Sequence, residues 1–285
     1  MALRDLLVYV DQADSAFLRL QLAVDLAARN ASRLTALYVC QPSRMQPEQR
    51  ATAELSAAVI DRPLQRKHKG VEDAATRLQV ALESLGRDRD LMTAWLSVEG
   101  PLSVVLPQHA RHADLCVMGR DSSPNEKFAD YVSEELVFLS GRPVLLVPPV
   151  APCETLGRHI AVAWNSSRAA ARALNDALPL IERSERTTVL TVNPADYIDR
   201  PGSSSVEQVV EHLRRHGVSA NLLTVENVSA QSIADALQSK AREIEADLIV
   251  AGAFGDPGLG KSCLATLLAS SLSAQPCQFS RLTER

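Results

Sequence analysis

"DLLVYVDQADSAFLRLQLAVDLAARNASRLTALYV", residues 5–39, runs from an apolar stretch through a polar turn into an amphipathic segment, then through a polar break into a second apolar stretch. "HIAVAWNSSRAAARALNDALPLIERSERTTVLTV", residues 159–192, does the same. Phe17, Leu20, Val24 and Ala27 keep helical spacing in the first copy, and Ala170, Leu174, Leu178 and Ile181 keep it in the second. Both copies therefore open strand–helix–strand. Further on, "HADLCVMGR" (112–120) is answered by "EADLIVAGA" (245–253), each after a segment of helical pattern. These read as the same strand in two copies.

Short, wholly apolar strands alternating with helices imply parallel sheets covered on both faces, because a half-exposed strand would alternate polar and apolar residues. The first copy reads as strands at 3–10, 34–39, 91–98, 114–119 and 143–147, with helices at 14–30, 50–86, 102–112 and 127–139. The second places strands near 159–164, 187–192, 219–225 and 247–253. "PPVAPCET" (148–155), with three prolines, cannot continue a helix or a central strand and reads as the linker. The fold class is α/β, with units at 1–148 and 156–285.

Composition narrows the function. The 285 residues are 46% hydrophobic and 22% charged, with a net charge of −4. That balance suits a soluble globular protein, gives no electrostatic footprint for nucleic acid, and includes no run long enough for a membrane span. With no signal peptide at the start, the expected location is the cytoplasm. The five cysteines, Cys40, Cys116, Cys153, Cys263 and Cys277, have neither metal nor redox spacing and read as small buried or incidental thiols.

The residues "VAWNSSRAAARALNDALPLIERSERTTVLTVNP" (162–194), "EADLIVAGAFG" (245–255) and "SEELVFLSGRPVLLVPP" (133–149) resemble a bacterial tandem universal stress protein, two such domains in one chain. The resemblance covers the chain to about residue 265. It implies two Rossmann-like domains of the adenine nucleotide alpha hydrolase-like kind, each an open parallel sheet of order 3-2-1-4-5. It also implies ATP or another adenine nucleotide over the carboxyl ends of the strands, and self-association as a homodimer or by intramolecular pairing of the two domains.

The family's phosphate pattern is G-x-x-G, nine residues, then G-[ST]. In the second copy Gly252 and Gly255 supply the first part, and Ala265 and Thr266 stand at the second, with alanine for one glycine. Glycines let backbone N–H groups approach phosphate without a Cβ, and a following helix N-terminus adds partial positive charge. By resemblance, Asn165 and Val192 belong to the nucleoside end. The first copy departs further: Ser122 replaces a glycine, and Asp130-Tyr131 stand at the G-[ST] position, where a carboxylate repels phosphate. Its Asp11 matches the acidic residue that contacts the nucleoside. Asp11 and Asn165 also read as turn-formers capping the next helix.

A rival reading comes from "GDPGLGKS" (255–262), which matches G-x-x-x-x-G-K-[ST] and would make Lys261 and Ser262 the phosphate contacts of a weak ATP hydrolase. Only 23 residues follow Ser262, too few for the strands that complete such a domain. The tail "CLATLLASSLSAQPCQFSRLTER" (263–285) lacks a run like "RPVLLVPP", which leaves the last strand of the second domain in doubt and the strand at 247–253 expected either exposed at an edge or covered by a neighbouring subunit. A frameshift near residue 258 or ordinary divergence would each account for such a tail.

No cysteine or carboxylate completes a metal set by spacing around the pairs His109/His112 and His212/His216. Asp176 with Glu182, and Glu134 with Glu135, read as ion-bearing helix surfaces. Ser166 and Ser167, without a G-x-S-x-G elbow, read as capping or turn residues. The expected function is a stress-response protein that senses or carries a ligand rather than turning it over, with the first half structural or partner-binding. The alternative is an interaction module that holds no nucleotide.

Overall fold

The computed structural model describes residues 2–40, 57–119, 136–137, 139–149, 156–192, 206–226, 228, 233–252 and 265–269, with backbone alone for 57–72 and 265–269. In chain order the elements are β1 (Asp5–Val10), α1 (Ala16–Asn30), β2 (Arg33–Cys40), α2 (Ala57–Asp88), β3 (Thr93–Glu99), α3 (Leu102–Ala110), β4 (Leu115–Gly119), β5 (Val144–Val147), β6 (His159–Ala163), α4 (Arg168–Ile181), β7 (Arg186–Val192), α5 (Val206–Arg215), β8 (Ala220–Val225), α6 (Ile233–Glu243), β9 (Leu248–Gly252) and β10 (Ala265–Ala269). β1 to β9 follow the apolar runs read as strands, whereas β10 was not among them. The helix read at 50–86 is described from Ala57 onward as the 32-residue α2.

The strands form one sheet of order β3-β2-β1-β4-β5-β10-β9-β6-β7-β8. Its first five are parallel in the order 3-2-1-4-5, and β9, β6, β7 and β8 form a second parallel block that repeats the order 3-2-1-4. β10 joins the blocks. It runs parallel to β5, with Leu267 opposite Leu145, and antiparallel to β9, with Ala265 opposite Gly252 and Leu267 opposite Val250.

This corrects the expectation that the strand at 247–253 would be exposed at an edge or covered by a neighbouring subunit. Residues 265–269 cover it, and they do so antiparallel. The twelve residues between Gly252 and Ala265 are at the lower limit for the helical crossover that a parallel neighbour needs, whereas an antiparallel return needs none. Residues 276–282, the place where a fifth strand was doubted, lie outside the described residues. Among the described residues the edges are β3 and β8, both partly exposed, with Leu222 on β8 39% exposed.

Side chains alternate between the faces, so the core divides by face of the sheet. Leu6, Val8, Val10, Ile160, Val162, Leu248 and Val250 pack with α1, α2, α4 and α5 on one side. Leu7, Tyr9, Ala161, Ile249 and Ala251 pack with α3 and α6 on the other. Each apolar cluster contains residues from both parallel blocks. On the first face the blocks also meet at the C-terminus of α1, where Arg183 donates to the Arg29 carbonyl and to Asn30 Oδ1, the latter at 3.1 Å. A cation is favoured there by the unpaired carbonyls of the last turn.

The two aspartates of the repeated "ADL" hold equivalent posts. Asp114 accepts from the Arg4 and Asp5 N–H groups at 2.7 and 3.1 Å. Asp247 accepts from the N–H groups of Gly157, Arg158 and His159 at 3.1, 2.9 and 3.2 Å. Each ties the head of a fourth strand to the head of the first strand in its block.

Within α1 one expectation fails. Phe17 is 47% exposed, while Ala16, Leu20, Val24 and Ala27 are buried. The inward stripe runs through Ala16 and admits a small side chain at the helix start.

Candidate functional site at the strand ends of the second block

In an open α/β sheet the crevice for a ligand lies beyond the carboxyl ends of the strands, where the chain order reverses. In the second block that point is between β6 and β9. Asn165 follows the end of β6, Gly252 ends β9, and Val192, buried at 8%, ends the neighbouring β7. Ala265 lies opposite Gly252 as the first residue of β10, and Thr266 lies between Ala251 and Val144. The sheet therefore brings Asn165, Val192, Gly252, Ala265 and Thr266 to one end of the second block. Gly255 lies outside the described residues, as do Ser122 and Asp130 of the first half.

The manner of approach differs from the sequence reading at two of these positions. Ala265 and Thr266 were expected at a glycine-type loop with a helix start behind it. They are strand residues instead, and a strand paired on both sides spends its N–H groups on the ladder rather than on an anion. The same strand bears on "GDPGLGKS". A phosphate loop delivers its Lys-Ser pair onto the first turn of a helix, whereas the first element described after Ser262 is β10, from Ala265. Lys261 and Ser262 themselves lie outside the described residues.

The helix start near the crevice belongs to α4. Ser167, its N-cap, accepts from the Ala170 N–H at 3.1 Å, and Asn165 Oδ1 accepts from the Ser167 N–H at 3.2 Å. Ser166 between them has φ 58°, in the left-handed region. Asn165 thus performs the turn duty that its residue type suggested. A Cβ added to Gly252 would lie 2.6 Å from the Ala169 carbonyl carbon and 2.7 Å from the Ala170 nitrogen. The glycine is what lets the N-terminus of α4 reach the end of β9, and it sets a partial positive charge beside the crevice.

The first block has a different occupant at the equivalent point. Asp11 Oδ1 accepts from the Ala13 N–H at 3.0 Å, an Asx turn like that of Asn165. It also lies 2.8 Å from Nη2 of Arg19. Arg19 is 1% exposed, and its Nε donates to the Tyr9 carbonyl at 2.9 Å. Nothing in the sequence reading singled it out.

Other residues take structural parts. His212 and His216 pack edge to face with ring centroids 4.8 Å apart, and His216 Nδ1 is 3.4 Å from Glu182. Asp176 pairs with Arg172 at 2.8 Å. Among the described residues no group of three or more His, Cys, Asp or Glu side chains is arranged to hold a metal ion. Burial pushes the Cys116 thiol up to about 12, which leaves it inert. Among the described residues no helix is long and apolar enough to cross a membrane.

Comparison with known proteins agrees with this architecture. The model of the universal stress protein family matches residues 3–148. A universal stress protein from Archaeoglobus fulgidus DSM 4304 is similar in structure with a TM-score of 0.61 at 16% identity, over 94% of this chain and 96% of that one. A protein of unknown function from Pseudomonas aeruginosa PAO1 is similar with a TM-score of 0.50 at 14% identity, over 95% of this chain and 94% of that one. At these identities the likeness concerns the fold, and it extends over both parallel blocks. No curated protein matches the chain significantly. The family match spans the first block and its strand order 3-2-1-4-5; the chain belongs to the universal stress protein family.

Proposed function

We propose that this chain is a cytoplasmic, ligand-sensing stress protein built from two universal stress domains, residues 1–148 and 156–285. The second takes ATP or another adenine nucleotide at its strand ends without efficient turnover. The observation that carries this reading is the difference between the two crevices. The first holds a buried arginine, whereas the second presents Asn165, Gly252 and the N-terminus of α4. Asn165 and Val192 serve the nucleoside, Gly252 brings the N-terminus of α4 to the phosphates and Gly255 admits them, and Ala265 and Thr266 line the same end as strand residues. The first domain acts as the structural partner, joined to the second through β10, an intramolecular counterpart of a homodimer.

Calorimetric titration with ATP tests this. One site per chain is expected, abolished by Gly255→Asp, which puts a side chain and a charge where phosphate sits, and little changed by Asp130→Gly. Lys261→Ala should alter affinity less than about tenfold, or about 1.4 kcal/mol, and leave phosphate release at background. Unchanged affinity in Gly255→Asp overturns the site. Absence of binding in the unaltered protein favours the interaction module, a reading supported by the strand at Ala265 and Thr266.

A further inference from the structure

Arg19 enters the first block's crevice from α1 and meets three groups there. Its Nε donates to the Tyr9 carbonyl, its Nη2 lies 2.8 Å from Asp11 Oδ1, and its guanidinium rests against Gly119 at the end of β4. A Cβ on Gly119 would collide with Nη1 and lie 3.0 Å from Cζ. The guanidinium carbon is also 5.9 Å from the centre of the Tyr9 ring. These partners come from the carboxyl ends of β1 and β4, the two strands that flank the point where the chain order reverses. The ion pair is not an aligned fork: Nη2 is buried and makes no hydrogen bond of good geometry, although Asp11 is within ion-pair distance.

Among the described residues no such cation stands in the second block. Asn165 replaces Asp11 and bonds only within its own turn among the contacts described. The space beside Gly252 is taken by the α4 backbone. Arg172 on α4 has a side chain 53% exposed and pairs outward with Asp176.

We propose that Arg19 is the residue that decides which half takes ligand: with Asp11 it forms an internal occupant that closes the β1/β4 crevice to a nucleoside. A buried guanidinium persists only where opposite charge and acceptors surround it. Here they surround it in the crevice itself, so the first half is filled by its own side chain. The contrast with the second half rests on the proposed nucleotide site, but the closure of the first half does not.

The test is photolabelling of the full-length chain with 2-azidoadenosine, the labelled peptides being assigned by mass spectrometry to 1–148 or 156–285. A neutral nucleoside avoids the phosphate repulsion expected from Asp130. The double variant Arg19→Ser/Asp11→Asn removes cation and carboxylate together, so that neither is left unpaired. It should raise labelling of the first half about tenfold over the unaltered protein, and millimolar guanidinium should suppress that gain where tetramethylammonium does not.

A folded double variant whose first half labels no more than the unaltered protein overturns the proposal. So does an unaltered protein whose first half already labels as strongly as its second. If the unaltered protein labels in neither half while the variant labels in the first, the second-half reading fails and the closure stands. If the double variant does not fold, Gly119→Ala reaches the same point by displacing the guanidinium tip. First-half labelling should rise there too, and its failure to rise overturns the closure.

Discussion

Gly252→Ala should destabilise the protein through one contact. The new Cβ would stand 2.6–2.7 Å from backbone and Cβ atoms of Ala169 and Ala170, where 3.4–4 Å is ordinary van der Waals contact. Either β9 or the start of α4 must retreat by several tenths of an ångström. Neither is free to do so. β9 is paired with β6 and β10, and α4 buries Ala169, Ala170, Ala173, Leu174, Ala177 and Leu178. Overpacking of this kind costs about 1–3 kcal/mol. At about 2 kcal/mol the folding equilibrium falls roughly 30-fold, and with a urea dependence of about 3 kcal/mol per molar the unfolding midpoint drops by about 0.7 M. Urea titration followed by far-ultraviolet circular dichroism reads this directly, and Gly252→Val should fall further than Gly252→Ala. A midpoint unchanged in both variants would refute the claim that this glycine seats the helix on the strand.

Two further outcomes follow from the same geometry. His159 is buried, with Nε2 2.9 Å from Thr188 Oγ1, and burial first, then Arg186, hold its pKa below the ordinary value. The unfolded chain then takes up a proton from about pH 6.5 downward while the folded chain resists it, so stability is full above about pH 6.5 and is lost as pH falls toward the folded pKa. His212, lowered first by burial and then by His216 and Arg215, acts in the same direction. Urea midpoints at about pH 7.5 and 5.5 should separate less in His159→Gln than in the unaltered protein, and an equal separation would exonerate His159. Hydrogen exchange at residues 265–269 should be as slow as at 144–147, because β10 is an interior strand; exchange at the rate of an exposed edge would remove β10 from the sheet.

The parallel strands were legible because burial on both faces leaves no room for polar alternation, so "DLLVYV" and "DLIVAG" announce themselves. The helices of the first face were legible through their period, as at Leu174, Leu178 and Ile181. Asp11 and Asn165 betrayed their turn duty by residue type alone. Phe17 was misplaced because helical spacing marks a stripe without saying which edge of it meets the sheet.

Ala265 and Thr266, which open "ATLLA" (265–269), were read as phosphate positions because they follow Gly255 at the spacing of the family pattern. A five-residue apolar run carries no information about the direction in which it will pair. Arg19 was passed over because an arginine beside Leu20 on an amphipathic helix ordinarily reaches solvent. What the chain order determined by itself is the repeat of apolar runs, and with it two parallel blocks. What only the tertiary structure decided is how those blocks share one sheet and which crevice is filled. An interior strand needs a free ladder on each side, and a buried guanidinium needs Tyr9, Asp11 and Gly119 at once, the last of them 100 residues along the chain from Arg19.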